Sequence, residues 1–136
     1  MNVEALRTQM KTLKLRTAAE EIEEVLRANK RTADLGWVSE LLEREIDSRK
    51  ERSIQRRIQR AEFPEVTTLE AFDWKFNAKI DKATIEELAS LKFVRDNRIS
   101  LFLGAAGLGK THLALAIGVL AAKEGYPVFC TSLKKM

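Results

Sequence analysis

The chain is 136 residues long with a formal net charge of +4, enough for one ordinary domain or two small ones. An apolar share of 45% beside 32% charged residues excludes a disordered tail and predicts a helix-rich globular protein. One cysteine, Cys130, excludes a disulfide framework and a cysteine zinc cluster and predicts a reducing, cytoplasmic compartment; no apolar run approaches the ~20 residues that span a bilayer, and Met1-Asn2-Val3-Glu4 is no signal-peptide opening.

Residues 1–61 are dense in charge and poor in glycine. Val3, Leu6, Met10 and Leu13 recur at three and four residues, the stripe of an amphipathic helix. Thr17 to Glu20 reads as a capping box, which predicts a second helix starting there and carrying Ile22, Val25 and Leu26. The stretch ANKRTADLG then breaks the pattern. From Trp37 a longer helix is expected, with Val38, Leu42 and Ile46 inward, then Ile54 and Ile58.

That longer helix changes character along its length. Its first half holds Glu40, Glu43, Glu45 and Asp47; its second half, RKERSIQRRIQR, sets Arg49, Lys50, Arg52, Arg56, Arg57 and Arg60 against the one acid Glu51. Late cations suit the helix macrodipole. The same run is either a solvated basic face or a surface for phosphate backbone or an acidic partner.

Residues 62–98 read as a connector and a short helix. Pro64 turns the preceding residue out of helix. In EAFDWKFN, Phe72, Trp74 and Phe76 alternate, so an extended chain would project all three to one side. They would pack the connector onto the next domain or help form a base pocket. KATIEELASLKFV follows as a short amphipathic helix with Ile85, Leu88, Leu91 and Phe93.

Residues 99–136 read as a βαβ unit. ISLFLG is an apolar run of the kind buried parallel strands show. A glycine loop follows, then a helix carrying Leu113, Ala114, Ala116, Ile117 and Leu120. Gly125 can cap that helix in the left-handed region, and PVFCTS reads as a second strand. The crossover would be right-handed.

Gly104-Ala105-Ala106-Gly107-Leu108-Gly109-Lys110-Thr111 fits G-x-x-x-x-G-K-[ST] at every fixed position. Average residue usage yields this pattern roughly once in two hundred chains of this length, and here it stands between an apolar run and an apolar helix. The chemistry explains the residue types. Backbone N–H groups converge on a polyphosphate only where side chains do not intervene, hence the glycines. The positive end of the following helix adds to the field. Lys110 supplies a mobile charge for the β and γ oxygens, and the Thr111 hydroxyl suits Mg²⁺. His112 is expected as an ordinary first-turn residue, and Cys130 as a small core residue. One His and one Cys assemble neither a metal site nor a nucleophile triad.

With these motifs on the page, the chain resembles the IstB-like ATP-binding proteins, helper ATPases of bacterial insertion sequences, grouped with the helicase loader DnaC among AAA+ ATPases. The resemblance rests on LRTQMKTLKLRTAAEEIEE, on RAEFPEVTTLEAFDW, on LASLKFV and on LFLGAAGLGKTHLALAIGVLAAKEGYPVFCTS. Trp74 stands where an aromatic, often Phe, is expected. The resemblance implies an α/β protein. Residues 1–61 would be a helical DNA- and partner-binding domain, and residues 99–136 the truncated start of a P-loop AAA+ domain. It implies MgATP held by Gly104 to Thr111 with the 72–76 connector near the adenine. DNA and a transposase would be partners, with rings or spirals of copies of the chain when full length. Arg56, Arg57 and Arg60 are DNA candidates on charge.

The resemblance also implies parts that do not follow Cys130: an apolar strand ending in Asp or Asp-Glu, a polar sensor and an arginine reaching a neighbouring subunit. The expectation is therefore the front half of an ATPase, with weak nucleotide binding and negligible hydrolysis. Two alternatives stand beside the transposition helper. One is a helicase loader of DNA replication; the other is a non-catalytic helical module binding DNA or protein.

Overall fold

The computed structural model describes residues 2–28 and 35–136, with Trp37 described by its backbone alone. Most of the ANKRTADLG break lies outside the described residues. Residues 1–53 and 54–136 form two compact units. No helix among the described residues is long and apolar enough to cross a membrane.

In the first unit, α1 (Val3–Thr12) is capped by Asn2, whose side chain accepts from the Glu4 N–H. It closes with Lys14 in the left-handed region (φ 60°): the Leu15 N–H reaches Met10 O and the Lys14 N–H reaches Lys11 O. The predicted stripe faces inward at Leu6 and Leu13, 1% and 3% exposed. Helix α2 (Arg16–Ala28) begins one residue before Thr17, so Thr17 is a helical residue rather than the predicted cap. Ala19 and Ile22 are buried on it, while Val25 is 53% exposed. Arg7 bridges the two helices, donating from Nε to Ala19 O at 3.0 Å and pairing with Glu23 at 2.9 Å.

Helix α3 (Gly36–Arg60) is the long helix of the chain. Its N-terminal part adds to the first unit: the buried Ser39 donates to Gln9 Oε1 at 2.9 Å, and Gln9 Nε2 donates to Glu43 at 2.9 Å. From Ile54 onward it belongs to the second unit.

The second unit is built around α6 (Lys110–Lys123), which buries Leu113, Leu115, Ala116, Ile117, Val119, Ala121 and Ala122. A helix apolar on nearly every side must be covered on nearly every side. Helix α4 (Lys82–Ala89) carries Ile85 inward and is capped by Asp81. Leu91 then takes φ 57° and breaks the predicted KATIEELASLKFV helix, so Lys92–Arg95 forms a separate turn, α5. One apolar cluster joins Phe72, Ile85 and Leu113 with Leu69, Trp74, Ile80, Leu88 and Phe102. A second joins Leu91, Ile117 and Ala121 with Tyr126 and Val128, among others. Helix α6 ends as predicted. Gly125 is left-handed (φ 101°), the Tyr126 N–H reaches Ala121 O and the Gly125 N–H reaches Ala122 O.

The expected α/β class is not what forms. Among the described residues there is no strand and no ladder, so the parallel βαβ unit is absent. The two runs read as strands, near 99–103 and 127–131, lodge against different parts of the helical layer. Phe102 packs in the first cluster and Val128 in the second. The Cys130 N–H is spent on Ala61 O at 2.8 Å rather than on a neighbouring strand. A parallel ladder needs two backbones about 4.8 Å apart, and these two are not paired. Nor are the runs buried: Ile99, Leu101, Leu103 and Phe129 are 66–88% exposed, alternating with half-buried Ser100, Phe102, Val128 and Cys130.

The aromatic trio departs from expectation as well. Asp73 accepts the Lys75 N–H at 3.0 Å, and the Phe76 N–H reaches Asp73 O. This Asx turn curls the chain, so Phe72 is buried, Trp74 half-buried and Phe76 65% exposed.

Candidate functional site

The glycine loop, residues 104–109, leads directly into α6. Gly109 is the N-cap residue, left-handed at φ 85°, and has no side chain to cap the helix. The N–H groups of the first turn are therefore left for another acceptor. Gly107 is also left-handed, at φ 77°, a conformation that costs an L side chain about 1–2 kcal/mol. A Cβ at Gly109 would stand 2.6 Å from Phe72 Cε2. Backbone and aromatic ring are thus in direct contact where any other residue would separate them.

Lys110 is the first residue of α6 and folds back over the loop. Its Nζ donates to Gly104 O at 2.6 Å and also to Ala105 O. No carboxylate neutralises it among the described ion pairs. An ammonium held only by neutral carbonyls keeps most of its charge available for an anion. Ala105, Ala106 and Thr111 are exposed, and Leu108 is half-buried. Beside the loop lies a cavity of about 510 Å³, lined among others by Asn77, Ile80, Phe102, Leu108 and Lys110. This is the size of a small-molecule pocket, apolar with a few polar groups at its rim.

His112, expected as an ordinary first-turn residue, has defined partners. Its Nε2 lies 2.9 Å from Thr67 Oγ1 and 3.1 Å from Thr68 O. Its ring meets Phe72 edge to face at 5.2 Å. The Thr68 and Thr67 partners are 44 and 45 residues away in sequence, so no local pattern could reveal them.

The six cations of the basic run are not equivalent. Arg49 donates to Glu45 at 2.6 Å and to Leu13 O at 3.1 Å. Arg52 approaches the same carboxylate at 3.6 Å. The Arg49 hydrogen bond, first, and the charges of both arginines hold the Glu45 carboxyl below its ordinary value. Arg57 Nε donates to Ala122 O at 2.7 Å, where α6 ends, a favourable place for a cation. Lys50, Arg56 and Arg60 are exposed. Among the described residues no group of three or more His, Cys, Asp or Glu could hold a metal ion.

Known proteins resemble this chain over most of its length. Residues 8–136 match the family described as IstB-like ATP binding protein. The "Insertion sequence IS21 putative ATP-binding protein" of Pseudomonas aeruginosa is 40% identical over 95 residues, 70% of this chain and 36% of its own length. The corresponding IS232 protein of Bacillus thuringiensis subsp. berliner is 33% identical over 121 residues, 88% of this chain and 48% of its own. An insertion-sequence protein of Mycobacterium tuberculosis with a similar name is 33% identical over 135 residues, 97% and 53% of the two chains. The chain thus spans about a third to a half of the length of these relatives. With nearly its whole length matched, the chain belongs to the IstB-like ATP binding protein family.

Proposed function

We propose that this chain binds ATP with Mg²⁺ at the loop Gly104 to Thr111, and that it serves as an ATP-dependent helper of DNA transposition. The observation that carries the reading is the junction at Gly109. A left-handed residue without a side chain opens α6, and an ammonium lies over the loop held by carbonyls alone. Phosphate oxygens would replace those carbonyls as Lys110's partners and accept from the first-turn N–H groups. The Thr111 hydroxyl would be the protein's ligand to Mg²⁺, with phosphate oxygens and water completing the shell. The adjoining cavity would take the base, its wall formed partly by Asn77 and Ile80.

The chemistry assigned to these residues is binding. Hydrolysis would need, in addition, a group that orients the attacking water. The names of the relatives, all tied to insertion sequences, support a role with a transposase and DNA; on this reading the chain would act in the cytoplasm. The exposed cations of α3, Lys50, Arg56 and Arg60, are the DNA contacts of this reading. Copies of the full-length relatives' kind would assemble on that DNA.

Titration with a fluorescent ATP analogue tests the core of the reading. Binding should need Mg²⁺, and Lys110→Ala should weaken it about 10- to 100-fold, the worth of one charge-assisted hydrogen bond. Equal affinity for wild type and Lys110→Ala would overturn it. Capture of a transposase rather than a replicative helicase separates the leading role from the helicase-loader alternative.

A further inference from the structure

We infer that His112 is a positioning residue of the loop, clamping the connector at residues 67–72 onto the same helical turn that opens α6. The inference rests on the reading that this loop binds a nucleotide's phosphates.

A carbonyl oxygen only accepts, so the contact of 3.1 Å to Thr68 O requires the proton on Nε2. The Thr67 hydroxyl, 2.9 Å away and on a residue 7% exposed, then accepts from the same N–H. One imidazole therefore grips two consecutive residues of the connector. Those residues start a turn in which the Ala71 N–H donates to Thr68 Oγ1 at 3.3 Å and the Phe72 N–H to Leu69 O at 3.2 Å. The turn delivers Phe72 to two places at once. Its ring lies edge to face with His112, centroids 5.2 Å apart, and its Cε2 occupies the space where a Cβ of Gly109 would be.

The contacts close a circuit: His112 to Thr67 and Thr68, through the turn to Phe72, from Phe72 to Gly109, and back along three residues of chain to His112. Gly109 has no side chain and no capping bond of its own. Its left-handed conformation is held from outside, by the ring pressed against it. A glycine free of that ring would sample both signs of φ, and the amides that follow it would lose their common aim. His112 touches no phosphate in this scheme. It keeps Phe72 in place, and Phe72 keeps the loop in one shape.

The test uses the whole chain with two readouts. Amide hydrogen exchange without nucleotide reports the clamp, and Mg²⁺-dependent binding of a fluorescent ATP analogue reports its effect on the loop. His112→Phe keeps an aromatic ring but removes the donor. It should speed exchange at Ala71 and Phe72 at least tenfold, leave Leu120 in the last turn of α6 unchanged, and weaken ATP binding about tenfold. His112→Gln places an amide N–H at similar reach and should restore both within about threefold. Thr67→Val, which removes one acceptor, should show a smaller change of the same kind, and it decides the matter if His112→Phe does not fold. Unchanged exchange at 71 and 72, or no rescue by Gln, overturns the clamp. Failure of wild type to bind ATP defeats the nucleotide reading instead, while the exchange data still decide whether the clamp exists.

Discussion

Replacing Gly109 by Ala tests the packing of the site more sharply than any change of charge. Two costs add at this position. The left-handed backbone, φ 85°, penalises any L side chain by about 1–2 kcal/mol. The new methyl would also stand 2.6 Å from Phe72 Cε2 and 3.0 Å from Cζ. Phe72 cannot swing away freely, since it is 7% exposed and its ring is held by Trp74 at 5.0 Å and by His112. Overpacking of this kind costs about 1–3 kcal/mol, so Gly109→Ala should lose about 2–5 kcal/mol in total. Gly107→Ala is the internal control. Its φ is similar, 77°, but nothing lies within 4 Å of the added Cβ, so it should lose only the backbone part. A unit of this size holds about 4–12 kcal/mol in all, which makes the difference measurable. Hydrogen exchange of the buried α6 amides reads it directly: protection should fall about 10- to 100-fold further in Gly109→Ala than in Gly107→Ala, at 1.4 kcal/mol per decade. In a double-mutant cycle, Phe72→Ala should relieve part of the Gly109→Ala loss. Equal protection in the two glycine variants would refute the claim that the Phe72 ring occupies the space beside Gly109.

Arg57→Ala should destabilise the 54–136 unit by about 1–3 kcal/mol, because it removes a charged donor from Ala122 O; a urea melt of that unit measures it. Lys50→Ala with Arg60→Ala should leave stability nearly unchanged, and should flatten the log–log dependence of duplex DNA affinity on salt by about 2 if both contact phosphates. The Asp81 carboxyl accepts from the Thr84 hydroxyl, the largest effect, and from the Ala83 N–H, and these hold it below its ordinary value. Its folded value is therefore the lower one. The α4 cap contributes fully above the ordinary Asp range and is lost as pH falls through the folded value. Acid titration should loosen Ala83 and Ile85 exchange in wild type, and Asp81→Asn should remove that dependence.

Local signals made most of the helices legible. The stripe of Leu6 and Leu13 and the left-handed stop at Gly125 each act within a few residues, so their chemistry is written contiguously. The glycine spacing of the loop was legible for the same reason. Pairing was not. ISLFLG and PVFCTS have the composition of buried strands, but a strand is defined by a neighbour, and composition does not say whether a neighbour is there. The alternating aromatics at 72, 74 and 76 misled because the carboxylate of Asp73 bends the backbone between them. Leu91 ended a helix by adopting φ 57°, which nothing in its side chain announces. His112 and Arg57 take their partners from 44 and 65 residues away; sequence alone reads the first as an ordinary first-turn residue and the second as a DNA candidate on charge.

The exposed apolar side chains Ile99, Leu101, Leu103 and Phe129 have a thermal consequence for the isolated chain. Removing apolar surface from water is driven by entropy near room temperature, so the tendency to bury it strengthens from cold to warm. Backbone groups without a ladder beside those side chains offer a template to whatever approaches. The chain should therefore stay dispersed in a cold room and grow adhesive on the bench, well before any helix of it melts.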